Sequence, residues 1–318
     1  MRLVPKVVAK VRKKGFKLVT SQDDNFMLQA VKKAREGIYT TTPNPRVGCV
    51  VVKDSTIIGQ GAHISAGAHH AEIIALNQAG EGSKGASVYT TLEPCNISGE
   101  TGPCTKRIIN SGVRRVIIAM KDPNPRVNGS GIKDLKAAGI EVTCGVLEPE
   151  AINLNLGFIK RMKYGLPWVR SKIAMSTDGY SALLSGQSKW ITGQEARDDG
   201  HKWRARSCMV MTGIGTLIKD NPQLNVRSIK TVRQPTKVLI DSNLELDTDC
   251  NFFDAKKTLV FTSDNSRYNP SREKQFKEKE IEIIRVKQES NNLNHLDLKA
   301  VLTELSSRGC NELHLEAG

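Results

Sequence analysis

No stretch of this sequence stays apolar for the ~20 residues that a bilayer-crossing helix needs, so no membrane span is expected. Aromatic residues make up only 5% of the chain, and no base-stacking platform is visible among them. The seven cysteines are odd in number and scattered. That pattern excludes the disulfide framework of a small secreted domain and favours a reducing, cytoplasmic setting. Acidic residues are missing from residues 1–20, which hold seven basic side chains and so half of the formal net charge of +14. Lysines break up the valines of this arm, so it lacks the continuous apolar centre of a secretory signal, and it is poor in Ser and Arg for a transit peptide. It reads as a solvated basic extension. A nucleic-acid-binding module built on this arm and a structural zinc is the competing class. It would need four protein ligands for the metal, and only three can be named.

With 318 residues the chain is long enough for about two domains. From Asp23 the pattern is regular. "NFMLQAVKKARE" has helical apolar spacing, "VGCVVV" and "TIIGQGAH" read as strands joined by the turn "KDS", and "HAEIIALNQAG" reads as a helix stopped by Gly80. Strands and helices then alternate to Gly165, ending in one long helix over "EPEAINLNLGFIKRMKYG". A second alternating unit begins near "LPWVRSKIAMS". Alternation of this kind predicts largely parallel sheets covered by helices. The expected division is an extension over 1–20, a first domain over 21–165 and a second over 166–318.

The chemistry gathers first at His70, Glu72, Cys95 and Cys104. One imidazole and two thiolates are a donor set for Zn²⁺ with a fourth position left for water. Thiolates are favoured at helix N-termini, where Cys104 is placed. Glu72, two residues from a ligand, would move the proton without binding metal. An H-x-E pattern followed by P-C is the arrangement of zinc deaminases. Here the second cysteine comes nine residues after the first rather than three. His69 reads as a bystander, Cys49 as core, and Cys144, Cys208, Cys250 and Cys310 as structural. In the second half Lys172, Arg204 and Arg227 could hold an anionic substrate, and Trp190 lies beside the polar loop "SGQSKW". The turn "GIGT" after "CMVMT" resembles a phosphate cradle or an ordinary surface turn.

These segments together resemble the bifunctional deaminase/reductase family of riboflavin biosynthesis. The likeness rests on "TTPNPRVGCVVV", "HHAEIIALNQAG", "YTTLEPC", "MKDPNPRVNGSGI" and "LNLGFIKRMKYGLP", then on "STDG", "SGQSKWIT", "GTLIKDNPQLNVR" and "LEAG". It implies an α/β chain with a cytidine-deaminase-like α/β/α domain followed by a dihydrofolate-reductase-like α/β domain. The first would use Zn²⁺ to deaminate 2,5-diamino-6-ribosylamino-4(3H)-pyrimidinone 5′-phosphate, and the second would use NADPH to reduce the ribosyl chain to ribityl. The resemblance makes His70, Cys95 and Cys104 the metal ligands and Glu72 the proton carrier, with Asn44 and His63 beside the pyrimidine. In the second domain it assigns Ser188, Arg204, Leu224, Arg227 and Glu316 to substrate. Ala174, Trp190, Thr216, Asp220 and Ser242 go to NADPH. A homodimer through the second domain is also implied.

Two departures qualify the expectation. Between the two cysteines the family carries a basic residue where this chain has Glu100, which would repel a phosphate. The sequence also stops at Gly318, directly after the strand that ends "LEAG", where a glycine-rich cofactor loop is expected. The second domain is therefore expected to be C-terminally truncated, with weak or no reductase activity. The competing readings are a zinc deaminase of nucleotides or of tRNA adenosine, and a partly inactive paralogue.

Overall fold

The computed structural model describes residues 21–97, 102–188, 190–254, 257–265, 270–289 and 292–317. The basic extension and Glu100 lie outside the described residues. The first unit runs α1 (Ser21–Ala34), β1 (Gly48–Lys53), β2 (Thr56–Ala62), α2 (Ala71–Ala79), β3 (Ser87–Leu92), α3 (Cys104–Asn110), β4 (Arg115–Met120), α4 (Ser130–Ala137), β5 (Glu141–Cys144), α5 (Glu148–Leu154) and α6 (Leu156–Tyr164). Its five strands lie in the order β2-β1-β3-β4-β5. Helix α1 packs against α5, whereas α2 meets α3 and α3 meets α4, so helices cover the sheet in two groups.

The sheet is mixed rather than largely parallel as expected. β1 runs antiparallel to both β2 and β3, and only β3, β4 and β5 are mutually parallel. The cause is local. Asp54 and Ser55 both take positive φ, 48° and 61°, and a two-residue turn of that kind folds its strands back antiparallel. Inward positions of β1 and β4 are valine, isoleucine and Cys49, all buried in one core.

β2 keeps α2 close through glycine. A Cβ at Gly61 would lie 2.3 Å from the carbonyl oxygen of Ala71 and 2.8 Å from the amide nitrogen of Ala75. Those atoms belong to the first turns of α2, which follow His70 and carry Glu72. Gly61→Ala should therefore destabilise the fold by roughly 1–3 kcal/mol and also weaken zinc binding. Thermal unfolding and metal titration of the purified variant read the two effects separately.

The second unit runs β6 (Trp168–Ser171), α7 (Gln194–Arg206), β7 (Met209–Gly213), α8 (Ile214–Asp220), β8 (Thr236–Ile240), β9 (Thr258–Ser263), α9 (Pro270–Glu278), β10 (Ile281–Val286), β11 (Gln288–Glu289), β12 (Asn292–Leu296), α10 (Leu298–Ser307) and β13 (Glu312–Leu315). Six strands form one sheet in the order β10-β9-β8-β7-β13-β6, parallel throughout. β11 and β12 form a separate hairpin. Among the described residues no helix is long and apolar enough to cross a membrane.

The long helix expected over residues 148–165 is two helices, α5 and α6, broken at Asn155. The side chain of Asn155 brackets the backbone of Arg46: its Oδ1 accepts from Arg46 N at 2.8 Å and its Nδ2 donates to Arg46 O at 2.9 Å. Asn155 sits at φ −123°, ψ 23°, off the helical path, and its partner lies more than 100 residues earlier in the chain.

Arg46 reaches from the first unit into the second. Its Nη1 donates to Leu154 O at 2.7 Å and to Glu312 Oε1 at 2.6 Å, and its Nη2 to Arg206 O at 3.3 Å. Glu312, 1% exposed, also receives Arg206 Nε at 2.8 Å and Arg170 Nη1 at 3.4 Å. Burial pushes the Glu312 carboxyl up, but Arg46 and Arg206 outweigh it and hold the group below its ordinary value. Beside this cluster Cys208 and Cys310 meet, although neither belongs to a partner pattern in the sequence. Cys208 Sγ accepts from the amides of Asn311 and Glu312 at 3.1 and 3.3 Å and lies 2.6 Å from the Thr42 hydroxyl. A hydrogen bond from Cys310 pulls the Cys208 thiol down to about 6 against the effect of burial.

Candidate active site

His70 ends the loop before α2, Cys95 follows the end of β3, and Cys104 opens α3. β3 and the two helix starts therefore deliver the three side chains to one place. One ligand atom from each lies within 4.8 Å of the others. His70 Nδ1 is 3.1 Å from Cys104 Sγ and 3.6 Å from Cys95 Sγ. Tetrahedral zinc with Zn–S near 2.3 Å and Zn–N near 2.0–2.1 Å would set such pairs about 3.5 Å apart. The residues fit zinc, and among the described residues three ligands converge, the number that a catalytic centre uses.

The electrostatics agree with that role. A hydrogen bond from Cys104 pulls Cys95 down to about 4, against burial and with help from His70. The Cys95 hydrogen bond raises His70, and the hydrogen bond to Cys95 together with burial raises Cys104. Glu72 is 3% exposed, with Oε2 3.8 Å from Cys104 Sγ and Oε1 3.4 Å from Thr90 Oγ1. Burial lifts its carboxyl above the usual value against the pull of His70. A carboxyl tuned upward beside a metal site is suited to carry a proton.

These groups open on a cavity of about 380 Å³, within the range of small-molecule sites. The structure places Asn44 and His63 in its wall. Asn44 Nδ2 and His63 Nε2 are 3.0 Å apart, and His63 Nδ1 is 3.1 Å from His69 O, so His69 acts here through its backbone. Burial lowers His63, leaving it neutral near pH 7.

Sequence reasoning did not single out Glu93, Asp122, Phe158 and Arg161, which also line the cavity. Glu93 accepts from the amides of Asp122, Gly129 and Ile132 and so ties the loop after β4 to the end of β3. Burial raises Asp122 to about 6, with Glu93 and Cys95 adding to the effect. For Asp122 the signal was present in "MKDPNPRVNGSGI", a polar run too rich in Asn, Gly and Pro for a bare connection.

In the second unit the structure brings Lys172, Arg204 and Glu316 together. Arg204 donates through Nε and Nη2 to Glu316 at 2.5 and 2.9 Å, and Lys172 Nζ lies 3.7 Å from the same carboxylate. Burial alone would raise Glu316; Arg204 and His314 instead hold it far below the usual carboxylate range. Arg204 Nη1 also reaches Asn225 O, between Leu224 and Arg227. Arg204 is thus engaged by protein groups, whereas Arg227 is exposed. Thr216 and Asp220 lie on α8 and Ser242 follows β8, all at the carboxyl ends of parallel strands, where α/β sheets bind ligands. Gly213 and Gly215 there have open space around a notional Cβ, which suits the approach of a dinucleotide phosphate. Among the described residues no hydrogen bond or ion pair joins Ala174, Ser188 or Trp190 to this group. Trp190 is 74% exposed and stacks under Arg197 at 4.4 Å.

Comparison with known proteins covers both units. Residues 20–120 match the cytidine and deoxycytidylate deaminase zinc-binding region, and residues 167–318 match the RibD C-terminal domain. The chain is 44% identical over 311 residues to the riboflavin biosynthesis protein RibD of Haemophilus influenzae, covering 94% of this chain and 81% of that protein. It is 39% identical to RibD of Escherichia coli, covering 93% and 82%. Acinetobacter baumannii RibD superposes with a TM-score of 0.84 at 41% identity, over 93% of this chain and 81% of that one. A diaminohydroxyphosphoribosylaminopyrimidine deaminase/5-amino-6-(5-phosphoribosylamino)uracil reductase of Thermotoga maritima superposes with a TM-score of 0.81 at 36% identity, covering 93% and 81%.

Proposed function

The chain belongs to the RibD family of riboflavin biosynthesis and is a deaminase and reductase that uses zinc and NADPH; from that premise we propose which residues perform the two steps and on what substrate. The observation that carries the proposal is the convergence of His70, Cys95 and Cys104 beside the buried carboxyl of Glu72.

The substrate is the diaminopyrimidine ribosyl 5′-phosphate. When bound to His70, Cys95 and Cys104, zinc supplies Lewis acidity that makes water nucleophilic near neutral pH. Asn44 and the neutral His63 hold the ring edge by hydrogen bonds. Glu72 takes the proton of the attacking water and returns it to the departing amino group. The carbon–nitrogen bond breaks, a carbon–oxygen bond replaces it, and ammonia leaves.

When bound in the second unit, NADPH would supply hydride to the ribosyl carbon, and a proton drawn from water would complete the reduction to ribityl. Lys172, Ser188, Arg204, Leu224, Arg227 and Glu316 bind the substrate, and Glu316, fixed as a carboxylate by Arg204, accepts from a sugar hydroxyl. Ala174, Trp190, Thr216, Asp220 and Ser242 take the cofactor. The division falls between residues 165 and 166, at the left-handed Gly165 that ends α6. The protein works in the cytoplasm, where its free thiols persist. It pairs with a second copy at the β6 edge, where Val169, Ile173 and Met175 are exposed.

Chelation separates the two activities. Stripping zinc should abolish ammonia release while leaving NADPH-dependent turnover of the deaminated substrate at its untreated level, because among the described residues the candidate metal ligands all lie in the first unit. Loss of both activities on chelation, with the protein still folded by circular dichroism, would overturn the assignment.

A further inference from the structure

The deaminase substrate named above carries a phosphate, and that anion needs a cation. The cavity wall is otherwise unfriendly to it. Glu72, Glu93 and Asp122 line it with carboxyl groups rather than cations. Among the described lining residues Arg161 is the one permanently charged cation.

Arg161 is built into place. It projects from α6, and its guanidinium carbon sits 6.0 Å from the centre of the Phe158 ring. Its Nε donates to Asn311 Oδ1 at 2.6 Å and its Nη2 to Pro43 O at 3.1 Å. Asn311 Nδ2 donates to the same Pro43 carbonyl at 2.9 Å. Among the described residues no hydrogen bond takes Nη1, which leaves it for a further acceptor, and a held guanidinium is a strong phosphate partner. Asn311 is 6% exposed, comes from the second unit just before β13, and touches both Arg161 and the loop that carries Asn44.

We propose that Arg161 binds the phosphate of the deaminase substrate and that Asn311 of the other domain positions it. The proposal rests on the substrate reading given above. Asn311 is a positioning residue, since it acts through Arg161 and Pro43.

The test compares ammonia release from the diaminopyrimidine ribosyl 5′-phosphate and from its dephosphorylated riboside. Arg161→Gln should raise KM for the phosphate ester roughly 10- to 100-fold, the worth of a charge-assisted hydrogen bond. The ratio of kcat/KM for ester over riboside should fall by a similar factor. Arg161→Lys should restore part of it, and Asn311→Ala should lower the same ratio by a smaller factor, acting on KM more than on kcat. Equal losses on both substrates would mean that Arg161 is only structural, and an unchanged ratio would mean that another cation holds the phosphate. Either result overturns the proposal. If the wild type deaminates neither compound, the substrate reading fails by itself. Calorimetric binding of ribose 5-phosphate to zinc-loaded wild type and Arg161→Gln then decides the role of Arg161: a lost binding site supports it, and identical isotherms reject it.

Discussion

Glu312→Ala should cost roughly 3–5 kcal/mol of stability, the usual penalty for removing one partner of a buried ion pair. The loss is expected at the high end because three guanidinium groups, those of Arg46, Arg170 and Arg206, face this one carboxylate. Without it the buried Arg46 guanidinium keeps, among the described residues, only backbone carbonyls as partners. The variant should also unfold in two separated calorimetric transitions, because Arg46–Glu312 is an ion pair between the two units. The pH dependence has a defined sign. Glu312 is held below its ordinary value, so its stabilisation is complete above the unfolded carboxylate pKa of about 4.3. It is lost as pH falls through the lower folded value. The gap between wild type and variant should therefore be full at pH 7 and narrow below pH ~4. A gap under about 1 kcal/mol at pH 7, or one independent of pH, would show that the cluster contributes no net stabilisation.

Glu72→Gln should lower deamination by roughly 10²–10⁴-fold, the span usual for removal of a general acid–base group. Glutamine keeps the shape and can still meet Thr90, but it cannot accept and return a proton. Zinc content should stay at one per chain, because Glu72 is not among the three converging ligands. The NADPH-dependent step, measured on the deaminated substrate, should not change. Activity retained by the variant would remove Glu72 from the mechanism. Loss of zinc together with activity would make it a ligand instead.

The convergence of His70, Cys95 and Cys104 was legible because its signals are local and chemically scarce. His70, Glu72, Cys95 and Cys104 each sit at the end of a strand or the start of a helix, and few residue types can do their work. The β1–β2 turn was legible too, although its consequence, an antiparallel edge on the first sheet, was not drawn from the alternating pattern. What could not be read depends on distant partners. Nothing near Asn155 marks it as a helix break, because the reason is the backbone of Arg46. Arg161 lies in a helix with an ordinary amphipathic pattern, and only packing against Pro43 and Asn311 turns it to the cavity. Glu312 sits in "NELHLEAG" as an acid within an apolar strand, and its burial follows from arginines on three other elements. In the second unit the expected set divides: Lys172, Arg204 and Glu316 converge, whereas Trp190 stands apart on Arg197.

β13 is made after every other strand of its sheet, yet it lies between β6 and β7, the first two of that sheet to be synthesised. The ribosome therefore releases β6 and β7 long before the strand that joins them exists. Arg46 and Glu312 are 266 residues apart, which at 5–20 residues per second is roughly 13–53 s of translation. During that interval the deaminase unit can fold, but Arg46 has no carboxylate and Pro43 no amide from Asn311. The nascent chain thus holds a half-built Asn44 loop that closes only when β13 enters its slot. Chains that stall before Glu312 should expose this seam to chaperones and proteases, so completion of one catalytic unit also certifies the other.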